Sequence, residues 1–105
     1  MPNAALTEAV YYILLSLKEP LHGYGIMQKV ESLSSGRVRL AAGTLYGALN
    51  TLLDKGWIEA LPGPTDSRRK EYKVTEAGLC MVRAELDRLR ELLLNGETIL
   101  GGEKL

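Results

Sequence analysis

A mainly helical fold with one small β-hairpin is predicted by the order of three patterns along this 105-residue chain. Three early stretches carry apolar residues at helical spacing. Two short apolar runs then flank Pro62-Gly63-Pro64, and a final stretch repeats apolar residues in steps of three and four. The stepped spacing belongs to one face of a helix, and apolar runs either side of turn residues belong to paired strands.

Each element can be justified in turn. The first helix is expected over residues 4–17, where Leu6, Val10, Ile13 and Leu17 share a face, Leu14 widens it and Pro20 lies just beyond. A second, from about His22 to Leu33, turns Ile26, Val30 and Leu33 inward and leaves Gln28, Lys29 and Glu31 outside. Beside Gly23, the only histidine, His22, reads as a cap or packing residue. The third helix begins near Ala42 and buries Leu45, Leu49 and Leu52. Thr44, Tyr46, Gly47, Asn50, Thr51 and Asp54 are thereby left on its outer faces, and Gly56 is placed to end it in a left-handed turn. Trp57, assigned to the core, precedes Ile58 and Leu61 in the first strand of the hairpin; Tyr72 and Val74 lie in the second. Thr75 caps the last helix with Glu76 in its first turn, and Leu79, Val82, Leu86, Leu89 and Leu93 form a seam that calls for another helix. The tail from Asn95, with Gly96, Gly101 and Gly102, is expected to fray.

Composition narrows the functions. With 46% hydrophobic residues, a chain of this length can bury one modest core, and domains so small often gain stability by association. No apolar run of about 18 residues and no basic-then-apolar leader is present, so a cytoplasmic protein without membrane contact is expected. Cys80, the single cysteine, is read as a buried small hydrophobe. No metal-ligand spacing, phosphate loop or paired acid and base is recognisable, which argues against an enzyme and calls for no catalytic residue, metal or cofactor. Net charge is zero but unevenly spread: seven basic and four acidic side chains between Arg37 and Lys73 give +3, while both flanking parts are acidic.

Three helices, a hairpin with a basic tip and one further helix is the order of a winged helix-turn-helix followed by a dimerisation helix. Residues 1–74 are expected to form the DNA-binding domain, and residues 75–105 the dimerisation helix and a flexible tail. In such a fold the second helix of the pair enters the major groove. Thr44 and Tyr46 then offer hydroxyls to phosphates, Asn50 can pair with adenine through two hydrogen bonds, and Arg68, Arg69 and Lys70 follow the DNA backbone or reach the minor groove. The seam Leu79, Val82, Leu86, Leu89 and Leu93 becomes the dimer interface.

Four segments, HGYGI at 22–26, GTLYGAL at 43–49, LLDKGWIE at 52–59 and RRKEYKVTEAG at 68–78, resemble the motifs of PadR-like transcriptional regulators in order and spacing. The single short C-terminal helix is similar to that of the compact subfamily. The resemblance implies a homodimeric repressor of double-stranded DNA whose last helix packs on the partner's first, with small, often aromatic or drug-like effectors. It also implies DNA contact by Tyr24 and by the Gly43 to Gly47 motif. Two departures stand out: Ala41 and Ala42 replace the usual capping residue and proline, and Gly47 replaces a proline after the tyrosine. The last helix has no aromatic residue, so an apolar or aromatic effector is expected between subunits against Tyr11, Tyr12, Leu86 and Leu89, and not in the winged domain, where a second cavity would be costly. The alternative reading is a winged-helix adaptor that binds proteins and has no significant DNA affinity.

Overall fold

The computed structural model describes residues 5–62 and 70–101. Helix α1 spans Glu8–Ser16, shorter at its start than the apolar pattern suggests, because the Thr7 hydroxyl accepts from Val10 N at 3.1 Å and makes Thr7 the cap. Strand β1, Leu21–His22, is not foreshadowed by any pattern in the sequence. Helix α2, Gly23–Leu33, follows without a break, and His22 Nδ1 caps it by accepting from Gly25 N at 3.2 Å. A turn through Ser35 and Gly36, both at positive φ, leads to helix α3, Ala42–Asp54. Gly56 at φ 76° reverses the chain after α3. Strands β2, Ile58–Leu61, and β3, Glu71–Val74, precede helix α4, Glu76–Ile99.

The three strands form one antiparallel sheet in the order β1-β3-β2. Ile58 faces Val74 and Leu61 faces Glu71 across the hairpin; Leu21 faces Tyr72 on the other side. The hairpin tip, including Gly63, Pro64, Arg68 and Arg69, lies outside the described residues, as does Gly102.

Every element contributes to one core. Ile13, Leu14 and Leu17 of α1 and its cap meet Ile26 and Val30 of α2, Leu45, Leu49 and Leu52 of α3, Ile58, Tyr72 and Val74 of the sheet, and Val82 of α4. Each such side chain contributes about 1.5–3 kcal/mol by leaving water. Thr75 joins the parts around it: its hydroxyl accepts from Gly78 N at 3.1 Å and donates to Gly56 O at 2.7 Å, so one residue caps α4 and anchors the exit of α3.

Four expectations fail. Leu33 is exposed, because α2 ends there and its last turn points past the core. Trp57 is only half buried; it sits at the sheet's rim with the Lys55 ammonium 5.2 Å from its ring centroid. Cys80 is exposed, lying on the side of α4 turned away from Val82. Asn95 and Gly96 are helical, since α4 continues to Ile99 and Leu100 N donates to Gly96 O.

From Leu86 onward the large apolar side chains of α4 are left uncovered by the described residues. Leu86, Leu89, Leu92, Leu93, Leu94 and Ile99 are all exposed. The last buried side chain is a carboxylate, Glu85, held by Arg88 at 2.6 and 2.8 Å and accepting from Leu6 N at 3.4 Å. The Arg88 hydrogen bonds, with a smaller contribution from Leu6, hold its pKa below the ordinary carboxylate range against the opposing effect of burial. A carboxyl depressed by folding stabilises the chain fully above its unfolded pKa and loses that contribution as pH falls through the folded value. Chemical denaturation is therefore expected to show stability falling below the ordinary carboxylate range, with Glu85→Gln flattening that fall; identical acid profiles for the two proteins would refute this.

Candidate nucleic-acid interface

Burial of Leu45, Leu49 and Leu52 decides which side of α3 faces outward. Gly43, Thr44, Tyr46, Gly47 and Asn50 are exposed on it, and a methyl group added at Gly43 or Gly47 would meet nothing within 4 Å. Ala41 offers no side-chain cap, so the first-turn amides of α3 lack the partner a serine or asparagine would supply. Those amides carry the positive end of the helix dipole. Tyr24, at the start of α2, is 63% exposed. Lys70 is exposed at the foot of β3.

Tyr46 is 46% exposed and has a packing role besides. A side chain at Gly23 would overlap its hydroxyl, so the first turn of α2 and the ring of Tyr46 lie in direct contact only because residue 23 is glycine. The pKa of Tyr72 is raised first by burial and further by Tyr46. The Tyr46 ring thus sets the approach of α3 to the start of α2. Gly23→Ala is expected to cost about 1–3 kcal/mol, read as a lower thermal midpoint, and to cost less in a Tyr46→Ala background where the collision is gone. Equal costs in both backgrounds would separate the two residues.

Charge is arranged differently in space than along the chain. Arg37 donates to Glu8 at 2.6 Å, and Arg39 pairs with Glu31 at 3.5 Å. Lys73 donates to the Lys18 carbonyl at 3.3 Å. Two arginines counted within the basic segment are therefore matched by acids from the segment before it, Lys70 and Lys73 lie at and within β3, and Arg68 and Arg69 lie outside the described residues.

The expected dimer residues divide. Val82 is buried and Leu79 half buried within their own chain, whereas Leu86, Leu89 and Leu93 are exposed. Of the expected effector residues, Tyr11 and Tyr12 pack against the core and meet edge to face at 6.0 Å. The chain does, however, leave a cleft of about 500 Å³ elsewhere, between the start of α1, the second half of α3 and Met81 of α4, and none of Tyr11, Tyr12, Leu86 and Leu89 lines it. Being open to solvent, it carries no penalty of an internal void.

Sequence reasoning does not single out Gly23, Gly78 or Glu85. Gly78 is required because a side chain there would meet Trp57 O and Val74. Its signal, like that of Gly23, is a glycine in the first turn of a helix, where helix propensity alone would disfavour it.

Several solved structures share this fold. A PadR family transcriptional regulator from Eggerthella lenta is 28% identical, with 90% of this chain and 82% of that one covered, at a TM-score of 0.67. A PadR family transcription regulator from hypervirulent Clostridium difficile is 22% identical over 90% of this chain and 98% of that one, at 0.70. A mutant of MepR from S. aureus is 20% identical over 92% and 68%, at 0.73. No curated protein matches the chain in sequence. No described helix is long and apolar enough to cross a membrane. The family model for transcriptional regulators of the PadR-like family matches residues 12–84, well over half of the chain, from α1 through the first turns of α4. The chain is a member of the PadR-like family, a transcriptional regulator and not an enzyme.

Proposed function

We propose that the protein is a repressor that binds a pseudo-palindromic operator as a homodimer, residues 1–74 reading DNA and residues 75–105 forming the dimer. The observation that carries this reading is the outer side of α3, where Thr44, Tyr46 and Asn50 stand exposed beside an uncapped helix start. Thr44 and Tyr46 supply hydroxyls to phosphates, and Gly43 and Gly47 let the backbone approach them. Asn50 reads a base, Tyr24 touches a neighbouring phosphate, and Arg68, Arg69 and Lys70 run along the backbone. The exposed Leu86, Leu89 and Leu93 pack on the partner's last and first helices with half-buried Leu79 at the inner end of the seam, while Val82 supports the seam from within its own core. Such a dimer places its half-sites about one helical turn apart, roughly 34 Å, or a multiple of that distance.

Retention of a promoter fragment from beside the protein's own gene tests the reading, with salt titration alongside. Binding that weakens steeply with salt supports it. The pairing of Arg37 and Arg39 with acids favours the adaptor reading instead, and salt-insensitive or absent DNA binding would establish that one. An effector that shifts subunit spacing would alter DNA affinity, and DNA would alter effector affinity by the same factor. Tyr11, Tyr12, Leu86 and Leu89 are the residues to test for it at the dimer axis.

A further inference from the structure

None of the residues named for DNA contact or for the dimer seam lines the cleft beside α3. Its walls are aliphatic: Leu6 just before α1 and Val10 within it, Ala48 and Leu52 from α3, and Met81 from α4. About 500 Å³ is within the range of pockets that hold small ligands, and such pockets set a few polar groups into apolar walls. The polar groups here are Thr7, Thr51 and Lys55, and Lys55 is the one charged residue of the lining. Among the described residues no carboxylate pairs with that lysine; its ammonium lies over Trp57 instead. Thr7 Oγ1 accepts from Val10 N, which leaves the hydroxyl hydrogen to donate.

Length and shape follow from α3. Ala48 and Lys55 are seven residues apart, roughly 10 Å along the helix axis, with the charge at one end. Lys55 already covers a face of the only aromatic ring in the lining, so a planar ligand would have to displace it before stacking, whereas an aliphatic chain would not.

We propose that this cleft binds a straight-chain carboxylic acid of medium length, its carboxylate paired with Lys55 and its chain lying along Leu52, Val10 and Met81. Lys55 is the C-cap of α3 and Trp57 leads into β2, so an occupied cleft braces the end of α3 against the base of the hairpin. Any effect on operator affinity rests on the DNA reading above; binding of the acid does not.

Trp57 is the only tryptophan, which makes its fluorescence a direct report on the cleft. Titration of the full chain with decanoate is expected to shift its emission saturably, and octanoate should bind roughly fifteenfold more weakly, since each of the two methylenes lost is worth about fourfold in affinity. Lys55→Gln should weaken decanoate about fivefold and leave decan-1-ol unchanged. Ala48→Met should block both. Should Ala48→Met not fold, the contrast between decanoate and decan-1-ol in the exposed Lys55→Gln variant still decides the matter. No saturable response, equal decanoate affinity in Lys55→Gln, or a response that disappears as protein concentration rises, which would assign the cleft to a second copy, would each overturn the proposal. Decanoate binding without any DNA binding would leave it standing and remove the operator reading alone.

Discussion

Leu86→Glu combined with Leu89→Glu is expected to convert the proposed dimer into monomers. A two-fold axis repeats both substitutions, so four carboxylates enter one apolar interface. Each must be desolvated, protonated or driven out, and a dissociation constant raised a thousandfold or more is the expected scale. The winged domain should persist, because neither side chain belongs to its core. Sedimentation at micromolar concentration reads the outcome. A wild-type chain that sediments there as a folded monomer would remove the dimer.

The second large effect concerns DNA. Arg68→Ala with Arg69→Ala is expected to weaken binding to every sequence and to reduce the slope of log affinity against log salt by roughly one for each phosphate left without its arginine. Because Arg37 and Arg39 already pair with Glu8 and Glu31, the hairpin carries much of the remaining positive charge in that segment, which enlarges the expected effect. Asn50→Ala should behave differently. It removes the side chain proposed to read a base, worth about 1–3 kcal/mol of discrimination, and should blur preference among sites while leaving the salt slope nearly unchanged. Operator binding by the double arginine variant equal to wild type at several salt concentrations would show that the hairpin does not touch DNA.

Much of the fold is legible in the sequence because its signals are local. Leu45, Leu49 and Leu52 define α3 by spacing, Gly56 ends it through a backbone conformation that glycine favours, and Thr75 starts α4 by capping it. What escapes depends on neighbours distant in sequence. Two residues, Leu21 and His22, carry no periodicity and become a strand only by pairing with Tyr72 and Glu71. Cys80 and Trp57 are misplaced by their residue types, because burial is set by how α4 and the sheet rim pack. Glu85 looks like an ordinary exposed charge until Arg88 and the amide of Leu6 close on it. At the candidate site, the outward direction of Thr44, Tyr46 and Asn50 is readable from the leucines opposite, whereas the meeting of Tyr46 with Gly23 joins two helices and is not.

The unsupported half of α4 ties folding to abundance. From Leu86 to Ile99 the helix is about four turns long, near the lower limit at which an isolated helix holds together in water. If a second copy covers its exposed leucines, as proposed, order in this segment becomes a property of the pair and rises by mass action with total protein. The thermal midpoint then climbs as the sample is concentrated. In a cell, when most chains are single, the concentration of pairs grows as the square of the concentration of chains. A twofold drop in synthesis would then cut the pairs available to an operator about fourfold, so the geometry of one overhanging helix sharpens the response to protein supply.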